Sequence, residues 1–530
     1  MNSRKNFNPG LLVFGLCCSL AFLFQNCQKE EKPNFLFILV DDLGYPDLSC
    51  TGSSYYETPN VDAIAKNAVV FSQGYAASRV CSPSRASIMT GQLTASHGIT
   101  NWIGEKSGMD WRSLGRQSKS LPADYVHSLP KEYSILPELL KTQGYTTFFA
   151  GKWHLGDEGS YPEDHGFDIN KGGFEKGSPA GGYFAPFNNP KLENHEGGEN
   201  LSLRLANETA NFLESQPKDK PFLAYLAFYA VHGPIQTTAA KWKKYRDKAE
   251  EQGLNTANGF EMERLLPIRK AQDNPVYAGL VETMDDAVGI VMQKLKELGL
   301  DKNTIVIFTS DNGGVASGDA YSSSMSPLRG GKGYQWEGGT RVPFFVSIPG
   351  VSSKTIDFPV TGADFLPTLA DYAGVTQKPF QQIDGESLRP LIEGKSLENR
   401  ALYWHYPHYG NQGGEPSSVI LKGEWKLIHY YEDGRNELYN LSEDPSEKIN
   451  IYPENEEQGE KLYQELKTWL DSRHALYPQP DPEFSEKKFT EWRENMVNKK
   501  MPQLEKQRES MLSNDYTPNK DWWGSQVTRD

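Results

Sequence analysis

The pattern of apolar and polar positions divides the chain into continuous apolar runs and amphipathic stretches that alternate over most of its length. Residues 34–40 (NFLFILV), 221–230 and 304–309 (TIVIFT) are nearly continuous apolar runs. Runs of this length without alternation read as strands buried on both faces, which a parallel sheet covered by helices requires. Between them, Thr58-Pro59-Asn60 opens a short helix, with Thr58 at the N-cap and Pro59 at the first helical position. Residues 134–142 read as a helix stopped by Gly144, with a strand following at 145–150, and residues 285–298 have helical periodicity with Gly299 just past their end. Helices alternating with buried runs predict an α/β fold, a mostly parallel sheet flanked by helices.

The character changes after about residue 375. Residues 417–431 (SSVILKGEWKLIHYY) alternate like a half-exposed hairpin and 437–441 follow as a short strand, which predicts a smaller antiparallel C-terminal unit with a helix at 462–470 packed on it. From Phe484 onward the chain is strongly charged and interrupted by Pro502, and it reads as a surface arm pinned by Trp492, Trp522 and Trp523. At the other end, Arg4 and Lys5 precede the apolar run 11–24, the charged and hydrophobic regions of an export signal, too short to span a bilayer. Cys27 then stands where a lipoprotein cysteine would, and Gln28-Lys29-Glu30-Glu31 resembles the acidic tether that sends some Gram-negative lipoproteins to the cell surface; a plain cleaved signal is the alternative. The expected organisation is a signal at 1–26, a tether at 27–33, an α/β domain at 34–375, a smaller α+β domain at 376–483 and a charged arm at 484–530. The expected location is outside the cytoplasm, either periplasmic or, as a lipoprotein, on the outer membrane or cell surface.

Composition narrows the function. A chain of 530 residues with 37% hydrophobic and 23% charged positions has room for a large core and more than one domain. Its net charge of −14 excludes nucleic acid as the main partner and leaves a membrane contact only through a lipid anchor. Loss of the signal removes Arg4 and Lys5 but no acid, so the mature chain is more negative still. An anionic ligand would need cations gathered locally. Of the five cysteines, Cys17 and Cys18 leave with the signal, Cys27 is the anchor candidate, Cys50 reads as structural, and Cys81 is left to explain.

Two polar pairs sit at the ends of buried runs. Asp41-Asp42 follow the first run, and Asp311-Asn312, then Gly313-Gly314, follow TIVIFT. Ligands of open α/β sheets bind outside the carboxyl ends of the strands. Four oxygen-bearing side chains arriving there suit a hard divalent cation, calcium or magnesium, rather than zinc. Taken singly, each pair reads equally as a turn or a helix cap.

Between these pairs lies Cys81-Ser82-Pro83-Ser84-Arg85, continued to Thr90-Gly91. A lone cysteine is ordinarily a buried small hydrophobe, but CSPSR followed by TG resembles the signature of the formylglycine-dependent type I sulfatases. The resemblance runs from Asn34 to about Asn450, through NFLFILVDDLGY, GKWHLG, AFYAVHGP, TIVIFTSDNGG, LRGGKGYQWEGGTRVP and ELYNLSEDPSE. It implies an alkaline-phosphatase-like α/β domain with a smaller C-terminal domain. It also implies a maturation enzyme that oxidises Cys81 to formylglycine before folding. Asp41, Asp42, Asp311 and Asn312, with residue 81, would hold calcium in preference to magnesium.

The implied reaction is hydrolysis of sulfate esters on carbohydrates, exo-acting, with galactose or N-acetylgalactosamine sulfate as the candidate substrate. A sulfate ester has a poor leaving group, so cleavage needs a nucleophile, neutralised sulfuryl oxygens and a proton for the departing oxygen. An aldehyde hydrate at position 81 has one hydroxyl to attack sulfur and a second to expel sulfate, an exit that serine lacks. By motif, Arg85 stabilises the hydrate, Lys152 and Lys332 neutralise sulfate oxygens, His154 is the base and His232 the acid, the two histidine roles being interchangeable at this level. Glu337 and Arg341 are expected to buttress the Lys332 loop as an internal pair. His405 and His408 are candidate sugar contacts, with Trp102 and Trp336 behind them and the Gly- and aromatic-rich stretch 161–189 nearby; domain packing is the competing role. Two other functions remain open at this stage: a phosphodiester or phosphonate monoester hydrolase of the same superfamily, and a non-catalytic surface glycan-binding lipoprotein.

Overall fold

A computed structural model describes residues 1, 32–254, 256, 258–519 and 528–529. The signal, Cys27 and the tryptophans at 522 and 523 lie outside the described residues.

Eight strands form the central sheet: β1 (Asn34–Val40), β2 (Val69–Tyr75), β3 (Thr146–Gly151), β4 (Ile169–Lys171), β5 (Phe222–Ala227), β6 (Thr304–Ser310), β7 (Phe344–Ser347) and β8 (Lys354–Thr361), in the order β8-β2-β7-β6-β1-β5-β3-β4. Only β7 runs against its neighbours; every other pairing in the sheet is parallel. The predicted mostly parallel sheet is therefore observed, and β1 lies in its middle, between β5 and β6. All seven residues of β1 are buried because both faces are covered. Leu36, Ile38 and Val40 face one core, shared with helices α4 (Leu201–Ser215), α5 (Ala239–Glu251) and α6 (Pro275–Glu297). Phe35, Phe37 and Leu39 face the other, shared with α2 (Cys81–Thr90), α3 (Leu136–Lys141) and α7 (Phe365–Ala373).

Several boundaries move from their expected places for identifiable reasons. Helix α1 (Pro59–Lys66) begins at Pro59 as expected, but the Thr58 hydroxyl does not cap it. That hydroxyl instead accepts from the Ser49 amide at 2.9 Å and donates to Asp62 at 3.0 Å. Helix α6 starts at Pro275, ten residues earlier than its periodicity suggests, with the Asn274 side chain accepting from the Val276 and Tyr277 amides. Its first half is buried on nearly every side, so it shows no polar stripe. Cys50 sits exposed on the turn Ser49–Thr51.

The smaller sheet is antiparallel, β9 (Ala401–Tyr406), β10 (Ser417–Lys422), β11 (Trp425–Tyr430) and β12 (Asn436–Asn440), paired in chain order. The β10–β11 hairpin is not half-exposed as its alternation suggests, because each face has a cover. Ile420, Leu427 and Leu438 pack on Leu462, Leu466 and Leu470 of helix α8 (Glu456–Ser472). Val419, Leu421 and Ile428 pack on Tyr75, Tyr334 and Trp336 of the larger sheet and its loop. The arm forms helices α9 (Glu486–Asn495) and α10 (Met501–Leu512), joined by a π-type turn at Met496–Lys500. The wide turn lets the chain pass Pro502 without the clash a proline makes inside an α-helix. Buried Leu504 and Arg508, the latter paired with Asp273, tie the arm down, whereas Trp492 is only half-buried. Among the described residues, no helix is long and apolar enough to cross a membrane.

A buried ionic group joins the two sheets. Lys426 donates to Glu337 at 2.9 Å and lies 2.8 Å from Glu447, and Glu337 also holds Arg341 at 2.9 Å, the internal pair expected from the sequence. Removing the shared ammonium would leave Glu447 buried without a counter-charge beside the Glu337–Arg341 pair. Lys426→Met is expected to destabilise the chain by about 3 kcal/mol. The midpoint of urea unfolding at unchanged slope measures this, and a shift below a tenth of that size would show the group to be dispensable.

Candidate active site

Strand β1 delivers Asp41 and Asp42, β6 delivers Asp311 and Asn312, and β3 delivers Lys152, all just past the carboxyl ends of neighbouring central strands. Gly151 makes the last of these possible. Its φ is +106°, and a Cβ there would lie 1.8 Å from the Ala227 carbonyl oxygen of the neighbouring strand. Asp42 and His154 adopt left-handed backbone, with φ of 62° and 56°. Such conformations cost of order 1 kcal/mol each and persist only where the surroundings enforce them. Cys81 is the first residue of α2, 3% exposed, with Arg85 one turn further along the same helix.

These side chains form one buried charge cluster. Lys152 Nζ contacts both Asp41 oxygens, at 2.9 and 2.7 Å. Lys332 Nζ lies 2.7 Å from one oxygen of Asp42 and 2.8 Å from the other. Arg85 Nε donates to Asp311 at 2.7 Å, its Nη1 donates to the Lys152 carbonyl at 2.7 Å, and its Nη2 lies 3.5 Å from Asp41. Asn312 Nδ2 donates to Asp42 at 2.8 Å, while Asn312 Oδ1 is buried without a hydrogen-bond partner. Burial and the neighbouring carboxylates hold the Asp41 carboxyl well above the usual range. Burial acts the same way on Asp42, but the Lys332 ammonium, with His232 and Lys152, overrides it and holds that carboxyl well below. Burial also pushes the Cys81 thiol up.

The donor set fits a hard divalent cation. Ligand atoms of Asp41, Cys81 and Asp311 lie within 4.8 Å of one another, as do those of Asp42, Cys81 and His232. The orphaned Asn312 Oδ1 is the fourth oxygen, and an unsatisfied buried oxygen beside three carboxylates fits the role of a cation ligand. Lys152 and Lys332 here neutralise the same carboxylates that such a cation would neutralise.

Two histidines complete the surround. His154 uses Nε2 as donor to the Ile103 carbonyl at 3.0 Å, which leaves Nδ1 buried and unpartnered with its lone pair free. His232 uses Nδ1 as donor to the Gly233 carbonyl at 2.6 Å, with Nε2 at 3.7 Å from Asp42. Burial and the nearby lysines keep both rings neutral, His154 well below the ordinary value and His232 down to about 4. Cys81, His154, His232 and Lys332 open onto a cavity of about 780 Å³.

The walls of this cavity are partly as expected and partly not. Trp102 lines it, as do Glu175 and Lys176 from the stretch 161–189 and Asn411 and Gln412 from the segment just past His408. Asp319 and His127 also line it, from loops with no recognisable motif; Gln412 donates to Asp319. His405 and His408 do not line it, a correction to their expected role. His405 is 1% exposed, with Nε2 donating to the Leu476 carbonyl at 2.9 Å and Nδ1 at 2.7 Å from the Ser418 hydroxyl. His408 is fully buried against Thr100 at 2.8 Å. His405 points into the packing of the smaller sheet, where β9 is covered, and His408, just past the end of β9, packs between Thr100 and Tyr125. Trp336 is likewise buried, stacked on Tyr334.

The family model described as sulfatase matches residues 33–375, and one described as N-sulphoglucosamine sulphohydrolase, C-terminal, matches 331–475. A protein of Formosa agariphila named sulfatase is 30% identical, the alignment covering 89% of this chain and 95% of that one. N-acetylgalactosamine-6-sulfatase of Homo sapiens is 29% identical over 71% of this chain and 68% of its own. The crystal structure of Ps i-CgsB in complex with k-i-k-neocarrahexaose aligns with a TM-score of 0.67 at 25% identity, over 90% of this chain and 100% of that chain.

The placement of His405 yields a pH prediction. Burial, with Arg79 nearby, lowers its folded pKa from 6.5 to about 4, so below pH 6.5 the unfolded chain binds a proton that the folded chain refuses. Its stabilisation is complete above pH 6.5 and disappears as the pH falls to about 4, on the order of 3 kcal/mol. His405→Gln, which keeps hydrogen bonding but cannot titrate, is expected to flatten that part of the stability profile in urea titrations between pH 7 and 4. An unchanged slope would remove His405 as its source.

Proposed function

Because the chain belongs to the sulfatase family and is a sulfuric ester hydrolase, we propose that it removes sulfate from the end of a glycan, with galactose or N-acetylgalactosamine sulfate as the substrate unit. One observation carries the carbohydrate reading: the cavity over Cys81 is walled by hydrogen-bonding side chains, Asp157, Glu175, Lys176, Asp319, Asn411 and Gln412, with Trp102 as a flat apolar face. Hydroxyl-rich rings with one CH-lined side match that wall. The named N-acetylgalactosamine-6-sulfatase relative supports the choice of sugar.

Cys81 is read as the precursor of formylglycine, whose hydrate supplies the hydroxyl that attacks sulfur and the second hydroxyl that releases sulfate. With only 3% of the residue exposed at the start of a buried helix, Cys81 offers a maturation enzyme access only before this segment folds. Asp41, Asp42, Asp311 and Asn312 would hold calcium, which when bound withdraws charge from the sulfuryl oxygens. Lys152 and Lys332 provide two ammonium groups beside the nucleophile for the oxygens that gain charge as the ester bond breaks. His154 accepts a proton at Nδ1, the lone pair its hydrogen bond to Ile103 leaves free. His232 delivers a proton from Nε2 to the departing alkoxide, Nδ1 being committed to Gly233. Burial is the main reason this ring is neutral, and an incoming anion beside Lys332 offsets the lysine repulsion that adds to it, which favours the protonated acid. Arg85, anchored on Asp311 and the Lys152 carbonyl, positions the helix start that carries residue 81. Residues 1–26 are read as the export signal and Cys27 as the lipid attachment point.

Mass spectrometry of the peptide containing position 81, from protein made in its own cells, is expected to show the aldehyde or its hydrate; unmodified cysteine alone would sink the mechanism. Desulfation of defined sulfated monosaccharides, run beside an aryl phosphodiester, is expected to favour a galactose or N-acetylgalactosamine sulfate. A preference for the phosphodiester would overturn the reaction, and a preference for another sugar would overturn only the substrate. Asp311→Ala is expected to lose turnover by at least a thousandfold together with calcium affinity, read by calorimetry. Retention of either would take Asp311 out of the metal set.

A further inference from the structure

A second cavity of about 530 Å³ adjoins the first, and Asn411 lines both. It lies between the loop before Ser120, the loop after β9 and helix α9 of the arm. Five cationic and three acidic side chains line it, on a chain whose overall charge is −14. The acids are already engaged. Glu415 accepts from Arg264 at 2.8 Å and from Arg435 at 2.7 Å, Asp433 pairs with Arg435 at 2.7 Å, and Glu432 accepts from the Tyr409 hydroxyl at 2.5 Å.

Three cations remain without a close carboxylate. Arg116 stacks 4.8 Å over the Trp111 ring and donates to the Asn411 side chain, Lys119 approaches Glu432 no closer than 3.9 Å, and Arg493 pairs with no acid among the described residues. Beside Arg493, half-buried Phe489 and Trp492 offer adjacent aromatic surfaces, their ring centroids 5.9 Å apart. Spare guanidinium and ammonium groups next to half-exposed aromatic rings form a binding surface for a sugar that carries its own sulfate.

The geometry points to this cavity as a second sugar subsite, which takes a further sulfated residue of the same glycan whose end occupies the catalytic cavity, the chain crossing at Asn411. The inference rests on the glycan sulfatase reading and adds that the preferred substrate is a multiply sulfated oligosaccharide. The arm, which lies beyond the matched segment 331–475, supplies one wall of the subsite and so acquires a role in recognition.

The test is a binding measurement, independent of turnover. Hexasaccharides of carrageenan, chondroitin sulfate and heparin are titrated by calorimetry into the full-length Cys81→Ser chain, then into the same chain carrying Trp492→Ala with Arg493→Ala. A separate variant, Lys119→Glu, probes the opposite wall without touching the arm. At least one hexasaccharide is expected to bind the parent, with affinity at least tenfold weaker in both variants while thermal midpoints stay within two degrees. Binding by none of the three, or affinities within twofold of the parent in Lys119→Glu, would overturn the subsite. Failure of the sulfatase reading would appear separately, as phosphodiester preference in the turnover assay.

Discussion

Three buried carboxylates at the ends of adjacent central strands are the constraint on which the molecule is built. Asp41, Asp42 and Asp311 are fully buried, and an unpaired charge there would cost several kcal/mol after relaxation. Arg85, Lys152 and Lys332 balance them one for one, each from a different part of the chain. The ledger holds only if the start of α2, the end of β3 and the Lys332 loop arrive at one point. Folding the sheet and assembling the site are therefore one event, and the groups that chemistry needs are those the core needs to be neutral.

The smaller sheet serves that requirement. Lys332 lies in a loop, and loops hold position poorly unless something packs behind them. Tyr334 and Trp336 in the same loop stack on each other and bury themselves against Val419, Leu421 and Ile428, while Lys426 reaches across to Glu337. The C-terminal unit thus fixes the ammonium that faces Asp42, and its own helix α8 closes the opposite face of the sheet. Buried aromatic area supplies the holding energy, and the ionic group, nearly neutral in net terms, sets the register.

Much of this was legible in the residues. The central strands announced themselves as unbroken apolar runs, and the acidic pairs, Cys81, Lys152, His154, His232 and Lys332 stood in recognisable motifs that the structure brings together, Cys81 and three of the cationic or imidazole groups opening onto one cavity while Lys152 and the acidic pairs are fully buried. Burial on all sides hid the first half of α6, and burial on both faces disguised the β10–β11 hairpin as half-exposed; alternation reports which side is polar, not which side is covered. His405 and His408 misled because a histidine beside aromatics reads the same in a cavity wall as in a core, where one backbone carbonyl satisfies the ring. Asp319 and His127 carried no signal, since their place depends on how distant loops meet.

Charge distribution sets how a glycan can reach such a site. A surface of net charge −14 repels a polyanion that comes within a Debye length of about 8 Å at physiological salt and is screened beyond it, so long-range steering does not help the substrate. Attraction begins only inside the cavities, where low-dielectric walls strengthen the pull of Lys332 on one side of Asn411, and of Arg116, Lys119 and Arg493 on the other. A chain with one sulfate meets the repulsion and a single attractive well. A chain with sulfates spaced to fill both cavities meets the same repulsion but two wells that share one association cost, so selection favours dense sulfation rather than mere negative charge.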